Sequence, residues 1–551
     1  MMKSQLPIHF IPSHLSLNSF IQYNFNKLIK HQDSFFAINL SEIHIKTCLW
    51  KNIFPNILPY YDVSINYDPS ILNFLSYCDI GFQCNSKNDI AHAQLSNEMK
   101  DSSKPLIFQS RCLLESHIKS AKLSKVPIMT FENLSQLQKL TQFYPNSKLL
   151  IKLDVTNAIL YNSNINLDKF EKLLSSVSDI IQTYPHIVGI CVTSQEIKIF
   201  DNSLNGGQQA LIWYKQLFDA SFRALELCDQ KLNQNYKHCT MNALHFDIPG
   251  FGECQNKRTL EKISSLFVDQ LDQYSYPQNL MVSSQITDFL LSNHSAWSFA
   301  TPIISVRPTE RSKSSKTLSN SPNPSVFINN SVYDVFEHLF VNEDRYANNR
   351  SMADDGLEDK CNNNNCDNNK AYVNVTTLKI GQDSELNGFF PKRNAHQLYD
   401  IYGYTGLSED KIVTDFGSHC DLNDSDWLYF HFDSSNYDNY EERKNNASKN
   451  QTRLKYQPMV KSIYFAEHDH RDMITDFLIY KGNESRNFDQ EHNSHEIMHF
   501  ALYDEEIEQY DDSTIEIDIY LSRLFEMADN TENLQQGMDF IYKPVNLVES
   551  I

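Results

Sequence analysis

Residues 59–66 read Pro-Tyr-Tyr-Asp-Val-Ser-Ile-Asn, and Tyr67-Asp68-Pro69 follow in the same register. Outward from this stretch, the first half of the chain alternates short aliphatic runs with amphipathic segments. Lys104–Phe108, Val126–Thr130, Leu149–Leu153 and Ile187–Val192 each read as a buried strand bounded by polar residues. Between them, Leu113, Leu114, Ile118 and Ala121 mark one helical face, and Leu134, Leu137 and Leu140 mark the next. Strands separated by helices at this spacing mean βαβ units and a parallel sheet. Their repetition suits a closed βα-barrel. An open doubly wound sheet is the alternative, but no Gly-x-Gly-x-x-Gly turn supports it.

The chain has 551 residues, enough for two or more domains, and its 41% hydrophobic and 12% aromatic content can fill a sizeable core. A net charge of −21 argues against nucleic acid as a partner. The 11 cysteines show no CxxC pair and imply no metal framework. No apolar run reaches the roughly 18–20 residues of a membrane span, and Met1 to Asn18 lack the pattern of a secretory signal. A reducing, cytoplasmic setting is expected.

From Ser295 the texture changes. Ala300–Val306, Ser325–Ile328 and Trp427–Phe432 read as strands without intervening helices, as in a β-rich domain. Residues 309–324, 346–370 and 438–452 are polar, and the second of these contains four consecutive asparagines. Such segments bury too little apolar surface to offset ordering entropy and read as disordered inserts. The expected organisation is an N-terminal segment at 1–34 contributing to the β-domain, a barrel domain at 35–294, the β-domain at 295–467 and an acidic tail at 468–551.

The opening stretch resembles the first barrel strand of eukaryotic ornithine decarboxylases, Pro-Phe-Tyr-Ala-Val-Lys-Cys-Asn. Seven further segments resemble the family in the family's order. Six of them begin at Gly81-Phe82-Gln83-Cys84, Met129-Thr130-Phe131, Tyr144-Pro145, Val188-Gly189-Ile190, Asn329-Asn330-Ser331-Val332-Tyr333 and Ile401-Tyr402-Gly403-Tyr404-Thr405, and a seventh is Asp426-Trp427-Leu428-Tyr429-Phe430. The resemblance implies an α/β barrel of the alanine-racemase type plus a C-terminal Greek-key-like β-domain.

The same resemblance implies what has been lost. The family's lysine forms a Schiff base with pyridoxal phosphate, and here Ser64 takes its place; a hydroxyl forms no stable imine with an aldehyde. The ring-stacking histidine becomes Thr193, which offers no ring. The glycine loops for the phosphate become Gln195-Glu196-Ile197, where Glu196 repels a dianion, and Asp247-Ile248-Pro249-Gly250, where Gly250 is kept but Pro249 lacks an N–H. Thr287 replaces the glutamate that holds the pyridine proton, and Lys152 replaces an arginine fork. Gly406 and Leu407 replace the cysteine and aspartate donated across the family's dimer. The expectation is a pseudoenzyme that has lost its cofactor.

Inactive relatives of the family, the antizyme inhibitors, bind antizyme through the stretch that here is Gln109–Lys148. That stretch carries Arg111, Lys119, Lys122, Lys125 and Lys139, which suit an acidic partner; an ordinary solvated face is the alternative. The expected partner is an antizyme-like protein, or else an active ornithine decarboxylase inhibited by pairing. A divergent active decarboxylase is the third reading. His495-Glu496-Ile497-Met498-His499 matches the zinc-peptidase pattern, and Glu467 with His468-Asp469-His470 offers metal-type donors. Both read as solvated polar segments, and no metal is expected.

Overall fold

The computed structural model describes residues 8–28, 33–97, 106–110, 112–160, 164–178, 186–194, 204–233, 241–248, 257–274, 280–291, 296–308, 323–336, 374–378, 397–418, 421–424, 426–431, 456–478 and 502–503. The chain divides into a unit at Met1–Ala501 and a second at Leu502–Ile551, of which only the short strand Leu502–Tyr503 is described. The three polar inserts, apart from Asn323 and Pro324, lie outside the described residues, as does His495–His499.

Eight parallel strands close into a barrel in chain order: β3 (Ile57–Asp62), β4 (Gly81–Cys84), β5 (Leu106–Phe108), β6 (Ile128–Phe131), β7 (Lys148–Asp154), β8 (Ile187–Thr193), β9 (Ala243–Asp247) and β10 (Met281–Gln285), which pairs back to β3. The intervening helices are α3 (Pro69–Tyr77), α4 (Lys87–Asn97), α5 (Glu115–Leu123), α6 (Leu134–Phe143), α7 (Thr156–Leu160), α8 (Asp168–Ser178), α9 (Leu204–Asn233) and α10 (Lys257–Gln273). The aliphatic runs named above fall on β5 to β8, so the closed barrel holds and the open sheet does not.

The barrel interior is layered. Tyr60, Ile107, Ile128, Leu150, Cys191 and Ala243 form one buried cluster. Gly189, two residues before Cys191 on β8, has no room for a Cβ, which would overlap the Ala243 carbonyl of the neighbouring strand. Strand alternation then turns the next inward residues, one pleat nearer the C-terminal ends, toward the mouth.

The second domain is a mixed sheet in the order β15 (Lys411–Ser418), β14 (Gln397–Tyr402), β12 (Ser325–Ile328), β11 (Trp297–Arg307), β2 (Phe35–Asn39), β17 (Lys461–Glu467) and β1 (Ile8–Ile11). Here β16 (Trp427–His431) pairs with β11 and β13 (Asn374–Leu378). Helix α1 (Leu17–Leu28) supplies Phe25, whose ring meets Trp427 edge-on at 5.4 Å. The barrel boundary expected at residue 35 therefore moves. Phe35–Asn39, buried throughout, pairs antiparallel with β11 and parallel with β17, and the barrel begins only after α2 (Leu40–Ile53).

Tyr67-Asp68-Pro69 acquires a physical role. Pro69 opens α3, and Asp68 caps it by accepting from the Ser70 amide at 2.9 Å. The same carboxylate accepts from Tyr464 Oη at 2.5 Å and Ser462 Oγ at 2.8 Å on β17, which ties the barrel to the sheet. No described helix is long and apolar enough to cross a membrane.

Candidate functional site

The C-terminal ends of barrel strands are where barrels of this kind place their chemistry. Ser64 lies two residues beyond β3 on this rim and is exposed. Its Oγ donates to Asp62 Oδ1 at 2.7 Å, and its amide donates to the same oxygen at 2.9 Å. Asn85 Nδ2 donates to both Asp62 oxygens at 3.0 Å. These neutral donors are the partners of the Asp62 carboxylate, which is only partly exposed. Burial, with a contribution from the Asp247 charge, pushes its pKa up to about 6, against the lowering effect of the Ser64 and Asn85 bonds.

Deeper in the mouth a continuous chain of hydrogen bonds crosses the barrel. Asp247, the last residue of β9, accepts from Gln83 Nε2 at 2.7 Å, from Thr193 Oγ1 at 3.0 Å and from Gln109 Nε2. Because the Gln83 amide nitrogen faces Asp247, its Oε1 faces His245 Nε2, at 2.9 Å. His245 therefore carries its proton on Nε2 and accepts from Ser283 Oγ through Nδ1, at 2.9 Å. Burial lowers the His245 pKa to about 3, so the ring stays neutral. On the other side Gln109 Oε1 accepts from Cys191 Sγ at 3.1 Å. Each donor in this chain has one direction that satisfies its neighbours.

Of the residues singled out in the sequence, Thr193 ends β8 inside this network. Lys152 on β7 is buried, with Nζ donating to the Ser110 carbonyl at 3.3 Å. Thr287 begins the short helix α11 (Thr287–Leu291) and accepts from the Asp62 amide at 2.7 Å. These residues and Ser64 share the mouth. Gly406 and Leu407 lie instead in a loop of the β-domain, where Gly406 has φ +67° and Leu407 is exposed. Glu196, Gly250 and Arg111 lie outside the described residues. Among the described residues no group of three His, Cys, Asp or Glu side chains could hold a metal.

Sequence reasoning missed Asp62, Gln83, Gln109 and His245 as members of the mouth. The signal for Asp62 lay in the opening stretch, where Asp stands at the family's alanine two residues before Ser64. The other three needed the barrel pleat before their common orientation could be read.

Of the lysines expected to form a basic face around α5, two are engaged within the chain. Lys119 pairs with Glu115 one turn earlier and lies 5.4 Å from the centre of the Phe143 ring. Lys139 donates to the Leu113 carbonyl at 3.5 Å. Lys122 and Lys125 are exposed. Leu114, expected on the buried face of α5, is exposed instead: it precedes the helix at the cap position and turns outward.

Residues 40–170 match the family model for the pyridoxal-binding domain of pyridoxal-dependent decarboxylases. The chain is 37% identical over 128 residues to the ornithine decarboxylase of Candida albicans, covering 23% of this chain and 27% of that one. It is 34% identical over 131 residues to antizyme inhibitor 1 of Mus musculus, covering 24% and 29%. These matches span less than a third of either relative. A longer match, to the ornithine decarboxylase of Schizosaccharomyces pombe, is 23% identical over 399 residues and covers 72% of this chain and 78% of that one. The fold is similar to the arginine decarboxylase of Paramecium bursaria Chlorella virus, at a TM-score of 0.54 and 16% identity, covering 82% of this chain and 100% of that one. It is also similar to the lysine/ornithine decarboxylase of Vibrio vulnificus, at a TM-score of 0.52 and 12% identity, covering 83% and 99%.

Proposed function

We propose that this chain, which belongs to the eukaryotic ornithine decarboxylase family, is an inactive member that regulates polyamine biosynthesis by binding antizyme. The observation that carries the reading is how the mouth uses its polar groups. Gln83, Gln109 and Thr193 direct their donors at Asp247, while Ser64 and Asn85 direct theirs at Asp62. The Asp62 carboxylate thus lies beside the position of the family's Schiff-base lysine, and the residue at that position is a hydroxyl already bonded to it. Pyridoxal phosphate does not fit this set of side chains. The likeness to antizyme inhibitor 1 over 131 residues supports antizyme as the partner, and the family-model match at 40–170 takes in α5 and α6.

Purified protein added to active ornithine decarboxylase together with antizyme should restore decarboxylation, and without antizyme it should leave activity unchanged. Inhibition without antizyme would favour a poisoned heterodimer instead, and no effect in either mixture would sink both readings. A cofactor absorbance band trapped by borohydride, with Lys152 as the only buried lysine at the mouth among the described residues, would revive an active enzyme. Ser64→Lys alone should leave decarboxylation at background, since the Asp62 carboxylate, Thr193 and Thr287 remain; recovered turnover in that variant would overturn the inactive reading.

A further inference from the structure

We infer that Leu95 and Leu123 are the apolar anchor of the partner-binding face, and that the lysines around them form its rim. The inference rests on the antizyme-binding reading and specifies what that face grips with.

Leu123 is the last residue of α5 and is 84% exposed, and Leu95, near the end of α4, is 64% exposed. A reciprocal pair of bonds holds these two helix ends together. Gln94 Nε2 donates to the Ser124 carbonyl at 3.1 Å, and Ser124 Oγ donates to Gln94 Oε1 at 2.9 Å. Each leucine is the chain neighbour of one member of that pair. A single exposed leucine is ordinary. Two on adjacent helices, fixed in one frame and bordered by exposed Lys122 and Lys125, make a preorganised patch that loses little freedom on binding.

The charges alone serve this face poorly. Lys119 is paired with Glu115, and Lys139 donates to a backbone carbonyl. The chain as a whole carries −21, so an acidic partner meets repulsion at long range and complementarity only at contact. The occupant that fits is an acidic protein presenting apolar side chains, with the leucines supplying affinity and the lysines supplying orientation.

The test measures binding of purified antizyme to the full chain. Leu95→Asp combined with Leu123→Asp should raise Kd by about 100-fold. Lys119→Glu with Lys122→Glu should change it by less than about 5-fold, mainly through the association rate. Raising salt from about 0.05 to 0.5 M should leave Kd within about 3-fold or tighten it, whereas a charge-carried face would weaken by about 10-fold or more. If the aspartate variant misfolds by circular dichroism, Leu95→Ser with Leu123→Ser takes its place, with a loss of at least about 10-fold expected. Tight binding by wild type that the leucine variants do not weaken overturns the anchor and leaves the antizyme reading standing. Absence of binding by wild type overturns both.

Discussion

The mouth of the barrel and the outer face of α4 and α5 are built on the same strands, yet they present opposite surfaces. At the mouth, one set of side chains is used internally: Asp247 collects three donors, His245 bridges Ser283 and Gln83, and Asp62 holds Ser64 and Asn85. On the outer face, leucines and lysines are left to solvent. The family match at 40–170 covers the outer face and the Asp62 rim, but it stops before Thr193, Asp247 and Thr287. A pocket and a surface can therefore diverge separately. Alternating strand residues feed the pocket and helix residues feed the surface, so the two share a backbone but few side chains.

The largest effect should come from breaking the scaffold beneath both. Gly189→Ala places a methyl group against the Ala243 backbone at the centre of the barrel, where neither side can yield. A loss of about 3 kcal/mol or more is expected, seen as a fall in the thermal midpoint, with the proposed antizyme binding lost alongside it. An unchanged midpoint would mean that β8 and β9 pack less closely than described.

A smaller effect separates the regions. Burial holds the Asp62 pKa up at about 6 in the folded chain, against 3.8 for an unperturbed aspartate. The folded chain therefore binds more protons than the unfolded chain between these values, and the group's contribution to stability falls as pH rises through about 6. At pH 7 and above the ionised, buried Asp62 costs about 1–2 kcal/mol after allowance for its partial exposure. Asp62→Asn should accordingly stabilise the protein at about pH 8, with the gain shrinking toward about pH 4. Denaturation of wild type and variant across that range checks it; a gain independent of pH would show that Asp62 is not ionised in a desolvated site. Antizyme affinity should not move.

Much of this architecture was legible in the sequence. Ile187–Val192 is a continuous apolar run because its strand is buried on both faces of the barrel wall, and such runs need no partner to be recognised. Phe35–Asn39 reads similarly, but its sheet could not be read from the chain: its neighbours, β11 and β17, lie more than 250 residues downstream. Ser64 was visible as a residue in the wrong place. What it bonds to was not, because Asn85 comes from the next strand end and meets Asp62 only once β3 and β4 pair. The lysines of α5 were legible as charge, whereas their internal use required knowing that Glu115, Phe143 and the Leu113 carbonyl lie within reach.

The smallest effect tests the outer face by itself. Lys125 follows the end of α5 with φ 51°, a left-handed conformation that a residue with a Cβ adopts only at a cost. Its amide donates to the Lys122 carbonyl at 3.1 Å, and the Val126 amide donates to the Ala121 carbonyl at 2.9 Å, so this turn closes the helix and aims the chain into β6. Glycine at this position relieves the backbone but adds freedom to the unfolded chain. The first term exceeds the second where φ is positive, and Lys125→Gly should stabilise by about 0.5–1 kcal/mol. It also removes one cation from the rim. If leucines anchor the partner, the more stable variant should bind antizyme within about 3-fold of wild type. A loss much larger than this, with the midpoint raised as expected, would move the anchor from Leu95 and Leu123 to the lysines.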